Sequence, residues 1–214
     1  LIVRDDHKDQ KFEVLDTRLY ATPAVALENC AKVVNEMANE AVSSIKASFG
    51  LLMKYDESVA EKIKESEKTV DKYEDKIANY LLGLSSLSIS EKDSLAISKY
   101  LHIIGDIERM SDHSVNLAES AREIRDKKLT FSDSAKAEIK TMCSALIEIL
   151  DYTLKTVSDN DLISAAEIGP LEEVIDALKN KLQKNHIKRL QNNGCTIEMG
   201  FILSDITTVM ERVS

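Results

Sequence analysis

From Ala24 onward, apolar residues recur at steps of three and four, the period of helices that press one face against a core. Thr22-Pro23 reads as an N-cap with proline at the first helical position, followed by the stripe Ala24, Leu27, Ala31, Val34, Ala38, Ala41 and Ile45. The pattern Ser58-x-x-Glu61 predicts a capping box opening a second helix that runs to about Leu82. Gly83 and the serines at 85, 86 and 88 then read as a loop. Ser90-x-x-Asp93 caps a third helix to about Lys128, roughly 55 Å long at 1.5 Å per residue. Its core stripe includes Leu101, Ile104, Ile107, Ser111, Ser114, Leu117 and Ile124. A fourth helix spans about Asp133 to Val157, and a fifth about Asp161 to Leu190 with a kink expected at Gly169-Pro170. Asn192-Asn193-Gly194 makes a turn, and the sixth helix starts at Thr196.

The pattern repeats. Asp56, Ala60, Ile63, Glu67 and Asp71 match Asp161, Ala165, Ile168, Glu172 and Asp176 without a gap. Glu108-Arg109-Met110-Ser111 matches Glu211-Arg212-Val213-Ser214. The economical reading is an all-α protein of two tandem three-helix bundles related by internal duplication. Residues 1–17, charged and aperiodic, read as a linker; 18–129 form the first bundle and 130–214 a second, incomplete at its C-terminus.

Composition narrows the function. The net charge of −9 argues against a nucleic-acid surface and suits metal cations or a basic partner. Cys30, Cys143 and Cys195 are scattered, without CxxC spacing, which fits a reducing compartment better than a disulfide framework. No run approaches the ~18 apolar residues of a membrane helix, and the first residue is Leu1, as in a piece of a longer chain.

Glu67 and Asp71 share one helix face, as do Glu108 and Asp112, and antiparallel packing can bring these four carboxylates together. Crowded carboxylates either hold protons or recruit cations, and an all-oxygen set suits Mg, Ca, Mn or Fe ahead of Zn. In a chain with 30% charged residues an isolated acidic pair is usually a solvated face; recurrence in both repeats favours ligands here. The second repeat offers Glu172, Asp176 and Glu211, and its fourth acid would fall just past Ser214. Asn116 reads either as an outer ligand or as polar surface. His113 points about 100° away from Asp112 on a helix and reads as a surface or packing residue. His186 with Arg189 forms a small basic spot that could meet phosphate but reads first as a solvated face. No phosphate loop or nucleophile motif is present. A di-iron carboxylate enzyme would need Glu-x-x-His, and none of His7, His102, His113 and His186 follows that pattern.

The run Ile103-Ile104-Gly105-Asp106-Ile107-Glu108-Arg109-Met110-Ser111-Asp112-His113, then Asn116-Leu117-Ala118-Glu119, resembles the signature helix of the PhoU family. That resemblance implies two three-helix bundles, each with paired acidic motifs for a multinuclear metal cluster. It marks Glu67, Asp71, Glu108 and Asp112 for one cluster and Glu172, Asp176 and Glu211 for the other, with the metal one of Fe, Mn, Mg, Zn or Ca. Leu15-Asp16-x-Arg18-Leu19-x-x-Thr22-Pro23 with Ala26-Leu27-Glu28, and Cys195-Thr196-Ile197-Glu198-x-Gly200-Phe201, resemble the PhoU-like tails of bacterial sodium/phosphate cotransporters. The expectation is a regulatory, non-enzymatic domain at the cytosolic face of the membrane, joined to a transport domain in the same polypeptide. Phosphate is a possible ligand and a second copy a possible partner. The alternative within the family is a free-standing regulator of an ABC phosphate transporter and its sensor kinase.

Overall fold

A computed structural model describes residues 12–159, 161–192 and 194–214. Residues 1–11 of the expected linker, including His7, and Asn193 of the expected turn lie outside the described residues. A 3-10 helix, Thr17–Ala21, precedes six α-helices: α1 Pro23–Met53, α2 Glu57–Ser85, α3 Glu91–Asp126, α4 Asp133–Asp159, α5 Leu162–Gln191 and α6 Ile197–Val213. Among the described residues there is no strand, as the three-and-four spacing predicts.

Caps set the helix starts. Ser90 Oγ accepts from Asp93 N at 3.1 Å and donates to the Asp93 carboxylate at 2.7 Å, as expected. The capping box placed on Ser58 is displaced by two residues. Asp56 is the N-cap of α2 and accepts from Ser58 N and Val59 N, because its ionised carboxylate competes better than a hydroxyl for the orphan amides. Its repeat partner Asp161 caps α5 in the same way, accepting from Ile163 N and the Ser164 hydroxyl. Thr22 precedes Pro23 at the start of α1, yet its hydroxyl turns back to Leu19 O instead of capping. Helix α5 runs through Pro170 without a break.

The helices enclose two apolar cores. The first joins the N-terminal half of α1 (Ala26 to Ala41) to Val70, Tyr73, Ile77, Tyr80, Leu81 and Leu84 of α2 and Ile97, Ile104 and Ile107 of α3. The second gathers the opposite ends of those helices with Phe131, α4, α5 and α6. Helices α1 and α3 thus run through both cores and tie them together. Their contact is lined with small residues, and the buried hydroxyls of Ser44 and Ser114 bond across it at 2.8 Å. Burial pushes the Cys30 and Cys143 thiols up to about 12, so they behave as small apolar side chains.

The end of the expected linker is packed. Phe12, Leu15, Leu19 and Tyr20 lie against the first core, and the Tyr20 hydroxyl donates to Tyr80 O at 2.8 Å. Gly83 is inside α2, not in a loop, and the Tyr20 ring occupies the space a Cβ would need there. Among the described residues, no helix is long and apolar enough to cross a membrane.

Two substitutions check this packing by urea unfolding. Ile77→Ala, at a fully buried site, should cost about 2–5 kcal/mol. Gly83→Ala should also destabilise, by about 1 kcal/mol through loss of the Tyr20–Tyr80 bond, although alanine is the better helix former.

Candidate metal centre

The face of α2 that meets α3 follows alternating steps of three and four: Ala60, Ile63, Glu67, Val70, Glu74, Ile77, Leu81 and Leu84. Six of these eight are buried apolar residues, and Glu67 and Glu74 interrupt them at half-buried positions. Helix α3 answers with Ile104 and Ile107, then half-buried Glu108, then buried Ser111. Asp71 and Asp112 flank this seam as exposed residues.

The acids are gathered between the two helices. Burial raises the Glu67 carboxyl above its usual range, and the charges of Asp71 and Asp112 raise it further. Glu108 is raised by burial, then by Asp112, Glu74 and Asp71. Glu74 is raised by burial, then by Asp75, Asp71 and Asp112. The structure therefore brings Glu67, Asp71, Glu108 and Asp112 into one electrostatic cluster and adds a fifth member, Glu74. That residue sits one turn beyond Asp71 on the same seam, and reading α2 as a seam with acids in core positions would have found it. Its Oε1 lies 3.9 Å from where a Cβ on Gly105 would stand, one turn before Glu108.

Among the described residues none of the five forms an ion pair. Lys64 and Lys68, close by, pair with Glu61 at 3.5 Å and Glu65 at 2.9 Å. They share a surface recess with Glu67, Asp112, Val115 and Asn116. Asn116 is thus on the rim of the cluster. The donors are all oxygens and partly desolvated, a set that fits a hard cation. As the side chains stand, however, no three His, Cys, Asp or Glu among the described residues are grouped so as to hold a metal ion.

The second set is not gathered in this way. Glu172 and Asp176 are exposed on α5. Glu211 on α6 is half-buried and accepts from Lys179 Nζ at 2.9 Å. His113 faces away from the acids, into a cleft lined by Met110, Leu150 and Arg212, and burial holds its pKa low. The reading of His186 and Arg189 as a solvated spot is overturned. His186 is 8% exposed, packed against Gly200 with neither ring nitrogen hydrogen-bonded, and Arg189 donates to Glu138 at 2.9 Å.

A family model described as PhoU domain matches residues 34–121, which span the greater part of α1, all of α2 and most of α3 and include all five clustered acids. Over 185 residues the chain is 22% identical to the phosphate-specific transport system accessory protein PhoU homolog 1 of Thermotoga maritima, covering 85% of this chain and 75% of the relative. It is 25% identical over 158 residues to the PhoU homolog of Clostridium acetobutylicum, covering 73% and 71% respectively. Among solved structures it is similar to the phosphate transport system regulatory protein PhoU from Streptococcus pneumoniae, with TM-score 0.79, 17% identity, and coverage of 90% of this chain and 89% of that one. PhoU from Pseudomonas aeruginosa aligns with TM-score 0.70 and 13% identity, over 98% of this chain and 91% of that one. Residues 34–121 thus match a PhoU domain, and the chain has the fold of the solved PhoU proteins.

In metal-free buffer, Glu108→Gln should stabilise the protein by about 0.5–1 kcal/mol, since it removes like-charge neighbours from a partly buried seam. The sign with pH follows from the raised carboxyls. Their penalty is present in full above the raised folded pKa and fades as pH falls toward the unfolded value of 4.5. The gain from Glu108→Gln, read as a melting-temperature difference in chelator, should shrink on acidification from about pH 7 to about pH 4.5.

Proposed function

We propose that this protein is a PhoU-type regulator of phosphate transport, without turnover of its own, whose α2–α3 seam binds metal ions. The observation that carries the regulatory reading is the PhoU domain over residues 34–121. The metal reading is supported by five carboxylates converging on a half-buried seam with no Lys or Arg paired to them among the described residues. Glu67, Asp71, Glu108 and Asp112 would hold the ion, with Glu74 beside them. A cation would have to draw these side chains closer than they now stand, and in doing so would relieve their mutual repulsion.

Two settings compete. The named relatives are described as accessory or regulatory proteins of phosphate transport systems. That supports a separate accessory protein over the tail of a sodium/phosphate cotransporter, a reading that rests on the two short segments at Leu15–Glu28 and Cys195–Phe201. The accessory protein would act on a membrane transporter by favouring one of its states. Such an effect requires that the two states of the regulator bind metal or phosphate unequally.

Calorimetric titration of chelator-treated protein with Mn²⁺ should show saturable binding that is lost in Glu108→Ala/Asp112→Ala; equal binding by both proteins ends the metal reading. Saturating metal, at about 100 times its Kd, should add roughly 2.7 kcal/mol to stability. For the role, phosphate uptake is measured in cells with and without this chain and in cells carrying the double variant. The deletion should change uptake and its response to internal phosphate, and uptake alike in all three would sink the regulatory reading. A change confined to sodium-driven uptake would return the cotransporter setting; a change in ATP-driven uptake supports the accessory one.

A further inference from the structure

The gapless register that aligns the caps Asp56 and Asp161 carries through both seams: Ile63 falls on Ile168, Val70 on Ile175 and Ile77 on Leu182. Acidic positions also match, Glu67 with Glu172 and Asp71 with Asp176. On the seam itself one position inverts its charge: Glu74 falls on Lys179. In the first half Glu74 reaches across to α3 beside Gly105, a turn from Glu108, and adds negative charge to it. In the second half Lys179 Nζ lies 2.9 Å from Glu211 Oε2, and Glu211 is the residue that matches Glu108. Two equivalent positions on facing helices thus hold a like-charged pair in one half and an ion pair in the other. The Lys179 and Glu211 side chains are 21% and 36% exposed, so the pair is partly withdrawn from solvent.

We infer that Lys179 is the resident cation of the second half, so that Glu172, Asp176 and Glu211 take no metal ion and the protein has one metal centre where the duplication suggests two. The ammonium group already neutralises Glu211, the half-buried donor of the set. A divalent ion placed there would have to displace it or sit against its charge. Glu172 and Asp176, left alone, are two exposed carboxylates on a single helix. The count of one centre rests on the metal reading proposed above; the inference about the second half does not.

The test isolates that half in the full chain by means of Glu108→Ala/Asp112→Ala. Titrated with Mn²⁺, this protein should show no saturable binding. Adding Lys179→Glu, which restores the first-half residue, should raise the affinity by on the order of tenfold or more, into the saturable range, and adding Glu211→Ala should abolish it. Circular dichroism checks that each variant is folded, and Lys179→Gln gives a neutral replacement should the glutamate disturb the helix. Saturable binding with Lys179 in place that Glu211→Ala removes would overturn the inference, and so would no gain in either lysine variant. A metal-free readout stands beside it: melting temperatures in chelator for Lys179→Met, Glu211→Gln and both together. The double variant should lose clearly less than the sum of the single losses, and additive losses would count against a functioning ion pair. Failure of the unaltered first cluster to bind Mn²⁺ would end the metal reading while both of these readouts still decide the role of Lys179.

Discussion

Three glutamates, Glu67, Glu74 and Glu108, sit where two long helices need apolar contact, with Asp71 and Asp112 exposed at their flank, and that conflict organises the first half of the molecule. Glu67 and Glu74 occupy seam positions that Ile63, Val70 and Ile77 fill above and below them. A glutamate in such a place keeps its stem against the neighbouring helix and must leave its charge partly desolvated. The bundle tolerates this because the packing on either side is dense. Val70, Ile77 and Leu81 are fully buried on α2, and the α1–α3 contact behind the seam closes around small residues and the Ser44–Ser114 bond. The electrostatic penalty is thereby confined to a short stretch of the α2–α3 interface.

The length of α1, α2 and α3 follows from the same arrangement. Each reaches beyond the first core, and their far ends enter the core built from α4, α5 and α6. A network of Arg122 with Glu57 and Glu61, and of Arg125 over the Tyr55 ring at 4.2 Å, holds the α2 start to the α3 end. The carboxylate cluster lies between these anchored regions.

Much of this was legible in the sequence, for identifiable reasons. Helix number and limits followed from long three-and-four runs interrupted by few prolines and glycines, and Ser90 was readable as a cap because its partner Asp93 lies in the same short segment. Asp56 was missed because a serine hydroxyl two residues on offered an equally well-spaced pattern, and only the fold shows which oxygen reaches the free amides. Tyr20 on Gly83 and Gly200 against His186 are contacts between distant parts of the chain, which no local pattern encodes. The pairing of Glu67 and Asp71 with Glu108 and Asp112 could be anticipated from spacing. Glu74 could not be, so long as α2 was read as acidic pairs instead of as a seam with acids inserted. The fate of the second set was hidden for a related reason: a search for matching acids passes over the one matching position that has become a lysine.

A duplicated fold need not keep two duplicated sites, and charge is the cheapest feature to change. Replacing one seam glutamate by lysine preserves a long side chain whose stem can still cover the apolar interface. It converts a repulsion that a bound ion could relieve into an attraction that is always present. On the proposed metal reading, the first half is the one whose packing would depend on what is bound, while the second is held by its own ion pair. Such an asymmetry would serve the proposed regulatory role, because a ligand shifts an equilibrium only through a site that differs between states. A second half satisfied by its own ion pair would then give the first a fixed frame to respond against.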